Sequence, residues 1–127
     1  DTQLTFSQEI KMDGAIIVST PQEVALLDVK RGIKMFDKLG VKILGLVDNM
    51  SYFTGDDGKK YKIFGEGGVR RTAEEFGKEF LGEIPINSEV GKCGDEGKPI
   101  VEANPDHEIS KIFLELAKKT KKIFLDN

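Results

Sequence analysis

Asn49 follows an apolar run, Val41 to Val47, and an acidic residue, Asp48. A side-chain amide donates and accepts hydrogen bonds at once, the pairing that an adenine edge offers. At the carboxyl end of a buried strand, it occupies the edge where open α/β sheets bind ligands. The competing reading is a turn residue that bonds its own backbone. Gly65-Glu66-Gly67-Gly68 precedes a predicted helix, so its backbone N–H groups can meet an anion. Arg70 holds the place of the last glycine in a G-x-G-x-x-G pattern, and a tight entry turn accounts for the same residues. Arg70 and Arg71 have the chemistry to reach phosphate or a partner, although adjacent arginines on a helix usually stay solvated.

Cys93 and His107 are the single cysteine and the single histidine. Neither has a second Cys or His at metal-ligand spacing. Cys93 reads either as one ligand of a cluster shared between two chains or as a loop cysteine without a role. The spacing puts His107 at the third position of the last helix, on the surface. One cysteine excludes an internal disulfide framework and fits a reducing, cytoplasmic compartment. Four Gly-Lys pairs begin at Gly58, Gly77, Gly91 and Gly97, and Lys60, Glu79, Cys93 and Pro99 follow them. None supplies the Ser or Thr that a Walker A loop uses for magnesium. This chain taken alone is therefore not expected to hydrolyse ATP.

The 127 residues carry a net charge of −3, with 39% hydrophobic and 32% charged residues, a profile of one globular unit or part of one. Nothing in that balance points to nucleic acid. No apolar run approaches the ~20 residues of a membrane span. Asp1-Thr2-Gln3-Leu4-Thr5 has neither a start methionine nor a signal-peptide pattern, which suggests a fragment or a trimmed chain.

The elements that position these residues follow from periodicity. Ala15 to Val18 reads as a strand buried on both faces. Thr20-Pro21-Gln22-Glu23 reads as a capping box, with Thr20 the N-cap. Leu26, Val29, Ile33, Phe36 and Leu39 continue at helical spacing to a stop at Gly40. Val41 to Val47 is the second strand. Ser51 to Lys62 is a polar excursion with a turn at Gly55-Asp56-Asp57-Gly58. A helix over Val69 to Phe76, a strand over Phe80 to Ile84 and a Gly-rich loop over Glu89 to Lys98 come next. Asn104-Pro105-Asp106 caps a last amphipathic helix, with Ile109, Ile112, Phe113, Leu116 and Ile123 on one face. Its lysines read either as a membrane-binding face or as the solvated side of a helix docked on the sheet. Strands alternating with helices give an α/β fold with a parallel sheet.

Six segments, in order, resemble the Mrp (ApbC) family of iron–sulfur cluster carrier ATPases, which are MinD/ParA-like P-loop NTPases. They are Asp1 to Gln8, Gly14 to Asp28, Leu44 to Phe53, Ile63 to Gly68, Phe80 to Ile86 and Asp95 to Val101. The resemblance covers nearly the whole chain. It implies that residues 1–127 are the C-terminal half of a single P-loop ATPase domain, part of a parallel sheet with helices on both faces, its N-terminal half and central P-loop strand absent. Asn49, Pro85 and Ile86 are then expected at the adenine, and Asp1 is expected to end the switch motif. ATP, with Mg in the whole protein, is the implied cofactor. A homodimer and apo iron–sulfur proteins are the implied partners. Many family members carry a Cys-x-x-Cys pair after the Met-Ser-Tyr-Phe segment. Here Thr54 to Lys60 stands in that place, and carboxylates and lysines are poor cluster ligands beside thiolates. Two rivals remain: a related positioning ATPase drawn to membranes by its basic last helix, and a non-hydrolysing interaction module of the same fold. Without a central strand the chain is expected to be marginally stable and prone to associate.

Overall fold

The computed structural model describes residues 13–126. Three parallel strands form its sheet: β1 (Ala15–Ser19), β2 (Ile43–Asn49) and β5 (Phe80–Ile84), in the order β1-β2-β5. β2 is central, and every residue from Ile43 to Asp48 is buried. The helices are α1 (Glu23–Leu39), α2 (Gly68–Glu75), α3 (Ser88–Asp95), α4 (Ile100–Ala103) and α5 (Glu108–Leu125). A hairpin of β3 (Phe53–Thr54) and β4 (Lys60–Tyr61) stands between β2 and α2.

Helices cover both faces. On one, Val29, Ile33 and Phe36 of α1 and Val69 and Ala73 of α2 pack on Ile43 and Leu46. Ile33 and Leu46 are fully enclosed, which contributes about 1.5–3 kcal/mol each. On the other, Ile112, Phe113, Leu116 and Ile123 of α5 close over Val47, Leu81 and Ile84. A smaller core joins Cys93 of α3, Ile100 of α4 and Ile109 of α5. The two outer strands differ. Lys119 of α5 donates to the Leu81 carbonyl of β5 at 3.0 Å. On β1, Ile16 and Val18 are 41% and 55% exposed.

Local chemistry explains most element ends and corrects others. Gly40 ends α1 in the left-handed region, φ 72°, with its N–H on the Asp37 carbonyl. Val41, expected to open the second strand, instead donates to the Phe36 carbonyl at 2.9 Å and closes that cap. β2 therefore starts at Ile43 and runs on through Asn49. The capping box does not form: Gln22 is the N-cap, without a side-chain bond to the helix, and the Thr20 hydroxyl donates to Gln22 Oε1. The expected loop over Glu89 to Lys98 is largely helix α3, because Asn87 caps it by accepting the Glu89 N–H and Cys93 anchors it in the small core. His107 is the N-cap of α5 and not its third residue; its Nδ1 accepts the Ile109 N–H at 3.1 Å.

Candidate functional site

The carboxyl ends of the strands bring three of the sequence-selected residues together. Ser19, Asp48 and Glu83 are register partners across the sheet, and Asn49 lies beside Ile84 one step further on. Pro85 and Ile86 therefore leave β5 next to Asn49. Pairing persists past the strand ends: Ser51 N–H donates to the Ile84 carbonyl at 3.0 Å, and Ile86 N–H to the Tyr52 carbonyl at 2.7 Å. Between them Met50 takes a left-handed conformation, φ 54°, the one described residue other than glycine with positive φ. Asn49 is half-buried, Pro85 buried and Ile86 half-buried, so the edge is fixed in backbone and open in side chain. Asp1 lies outside the described residues.

Under this edge sits a polar pair that sequence reasoning passed over. Asp48 and Ser51 are 2% and 1% exposed, and neither Asp48 Oδ1 nor Ser51 Oγ completes a hydrogen bond. Burial pushes the Asp48 carboxyl up to about 6, against the smaller opposing pull of the Ser51 hydroxyl and of Lys62, while Glu83 adds to the rise. The signal was present in the order Asp48-Asn49-Met50-Ser51, where a tight turn folds the fourth residue back beneath the first.

The hairpin is held without thiolates. The Tyr61 hydroxyl and the Lys59 N–H both donate to Asp57, and these bonds hold its carboxyl below the usual carboxylate range. Lys60 and Lys62 place their ammonium groups 4.5 and 5.7 Å from the centre of the Tyr52 ring. Lys62 also pairs with Glu83 at 3.5 Å. Among the described residues no group of three or more His, Cys, Asp or Glu is placed to hold a metal ion. Cys93 is 3% exposed, and burial, with Glu89 close by, pushes its thiol up and disfavours the thiolate a cluster needs.

The glycine run before α2 packs closely. A Cβ at Gly65, φ 129°, would stand 2.9 Å from the Pro21 carbonyl oxygen, and one at Gly68 would strike Leu26. Close packing against the start of α1 accounts for these glycines. Arg70 lies over the Phe80 ring at 4.3 Å, and both arginines are exposed. No helix among the described residues is long and apolar enough to cross a membrane.

The chain is similar to several known proteins. The profile of the ParA family, described as NUBPL iron-transfer P-loop NTPase, matches residues 1–121. The iron-sulfur cluster carrier protein of Aquifex aeolicus is 45% identical over 119 residues, 93% of this chain and 33% of that protein. An iron-sulfur protein of Arabidopsis thaliana, required for NADH dehydrogenase in mitochondria, is 47% identical over 123 residues, 96% of this chain and 39% of its own length. The chain thus spans a third to two-fifths of these relatives. Among solved structures, a nucleotide-binding protein of Archaeoglobus fulgidus in complex with ADP superposes with a TM-score of 0.69 at 40% identity, over 81% of this chain and 42% of that one. The cell-division ATPase MinD of Pyrococcus furiosus shares the fold, with a TM-score of 0.67 at 23% identity over 87% of this chain and 43% of its own.

Proposed function

Because this chain belongs to the ParA family of NUBPL-type iron-transfer P-loop NTPases, we propose that it is the base-binding C-terminal part of an ATP-dependent iron–sulfur cluster carrier. The observation that carries this reading is the convergence of Asn49 with Pro85 and Ile86 at the carboxyl edge of a parallel sheet. In this reading the Asn49 amide pairs with the adenine edge, and Pro85 and Ile86 flank the ring. The relative solved with ADP supports a nucleotide as the ligand. Phosphate and magnesium are held elsewhere, since this chain has no Walker A loop. Hydrolysis is accordingly a property of the whole protein, working as a cytoplasmic homodimer.

The cluster is cargo, received and passed to apo iron–sulfur proteins, as the names of the relatives support. The ligands that hold it lie outside the hairpin, where Gly55-Asp56-Asp57-Gly58 offers no thiolate. Recruitment to membranes by the last helix is the weaker reading, because Ile112, Phe113, Leu116 and Ile123 of α5 are packed on Val47, Leu81 and Ile84.

The test is transfer of a pre-assembled cluster from the full-length protein to an apo iron–sulfur enzyme, read as recovered activity with and without ATP. The proposal expects recovery that depends on ATP and falls in Asn49→Ala. No recovery under either condition, with nucleotide binding intact, would move the protein to a non-transferring role on the same fold.

A further inference from the structure

The bonds that tie residues 51 and 52 to residues 84 and 86 lie beside a cavity of about 370 Å³. Phe53 and Thr54 of β3 form one wall, Pro85 to Ser88 a second, and Glu108 and Ile109 at the start of α5 a third. The volume falls in the lower range of small-molecule sites, and the lining mixes apolar with polar groups as such sites do. Pro85 and Ile86 belong both to this cavity and to the edge that carries Asn49.

Phe53 is the unusual wall. It is a large aromatic, 44% exposed, yet its backbone is paired in the β3–β4 hairpin. Its register partner across the hairpin is Tyr61, whose hydroxyl is held by Asp57. Its neighbour Tyr52 is buried, lies under Lys60 and Lys62, and accepts the Ile86 N–H. An exposed ring on an ordered support has little backbone entropy left to lose when a planar partner stacks on it.

We propose that Phe53 is a stacking wall of the nucleotide site, closing on the face of a purine base whose edge meets Asn49 and whose flank meets Pro85 and Ile86. The inference rests on the base-binding reading of those three residues. It also makes the hairpin part of the nucleotide site, so that base occupancy and hairpin position are coupled through one ring. Stacking reads the π-face of a base, so Phe53 strengthens binding while discrimination between purines stays with the edge contacts.

The experiment titrates ADP into the full-length protein by calorimetry, comparing wild type with Phe53→Ala, Phe53→Tyr and Asn49→Ala. Phe53→Ala is expected to weaken binding about fivefold or more, the lower end of base–aromatic stacking, and Phe53→Tyr to restore it. In Phe53→Trp, the indole emission is expected to be quenched by ADP at the concentrations that fill the site. The side chain is exposed, so truncation leaves the core intact, and an unchanged thermal midpoint verifies this. Wild-type affinity in Phe53→Ala with an unquenched indole, while Asn49→Ala binds poorly, would overturn the stacking role and leave the base site standing. Wild-type affinity in Asn49→Ala as well would remove the base site itself.

Discussion

The backbone N–H of Ile86 donates to the carbonyl of Tyr52 at 2.7 Å, joining the loop after β5 to the root of the hairpin after β2. The two loops at the carboxyl edge are therefore one hydrogen-bonded unit. A side-chain change on either loop acts on a backbone that is already fixed, so losses of affinity at this edge report side-chain chemistry.

Asn49→Ala removes an amide able to donate and accept on the same base. Loss of one bidentate base contact costs roughly 1–3 kcal/mol, so nucleotide affinity is expected to fall by about tenfold. Asn49 is the last residue of β2 and half-buried, so the thermal midpoint should move little. Calorimetric titration with ADP and a thermal melt check the two parts separately.

Asp48 predicts an unusual pH dependence. Its carboxyl is raised from 3.8 to about 6 in the folded protein, so folding disfavours the charged form. The sign follows: the contribution of Asp48 to stability is most favourable below the unfolded value, falls as pH rises from about 4 to about 6, and stays low above that. Asp48→Asn should therefore stabilise the protein at pH 8 by up to roughly 3 kcal/mol, with the gain vanishing near pH 4. Urea melts of both proteins at the two pH values test this; an equal effect at both would contradict it.

Two glycines should respond in opposite directions to alanine. Gly65 combines φ 129° with a backbone oxygen 2.9 Å from a new Cβ, so Gly65→Ala should cost about 1–3 kcal/mol. Gly91 lies inside α3 with nothing within 4 Å of a Cβ, so Gly91→Ala should add about 0.5–1 kcal/mol. Denaturant midpoints measured side by side decide both.

The 127-residue chain on its own should self-associate through β1. Ile16 and Val18 are exposed on an outer strand, beside an apolar groove lined by Leu44, Phe113 and Leu116. Val18→Lys should shift the chain toward monomer at equal concentration. Sedimentation velocity reads the distribution, and a wild-type chain that is wholly monomeric at high micromolar concentration would refute the association.

Much of the architecture was legible because burial leaves a plain mark on composition. Phe80 to Ile84 reads as a strand and forms one with the same bounds. The apolar face of Ile112, Phe113, Leu116 and Ile123 was legible from its spacing, and of the two readings open to that helix the structure shows the docked one. The misread parts are those where a tertiary contact overrides a local signal. Gly91 and Gly94 suggested a loop, yet the Asn87 cap and the seat of Cys93 make the segment helical. Val41 looked like strand, but the cap of α1 claims it. The edge position of Asn49 was readable from its strand end, whereas Pro85 and Ile86 were expected beside it only through the family resemblance; the Asn49–Ile84 register brings them together. The place of Phe53 was not, because it depends on a hairpin register and on bonds between loops far apart in sequence.

Lys119 gives the sheet a direction of growth. With its ammonium group on the Leu81 carbonyl, the outer side of β5 is blunted, whereas β1 carries no comparable guard among the described residues. Strand addition is thus disfavoured beside β5 and favoured beside β1, and the order β5-β2-β1 reads as a guarded edge followed by an open one.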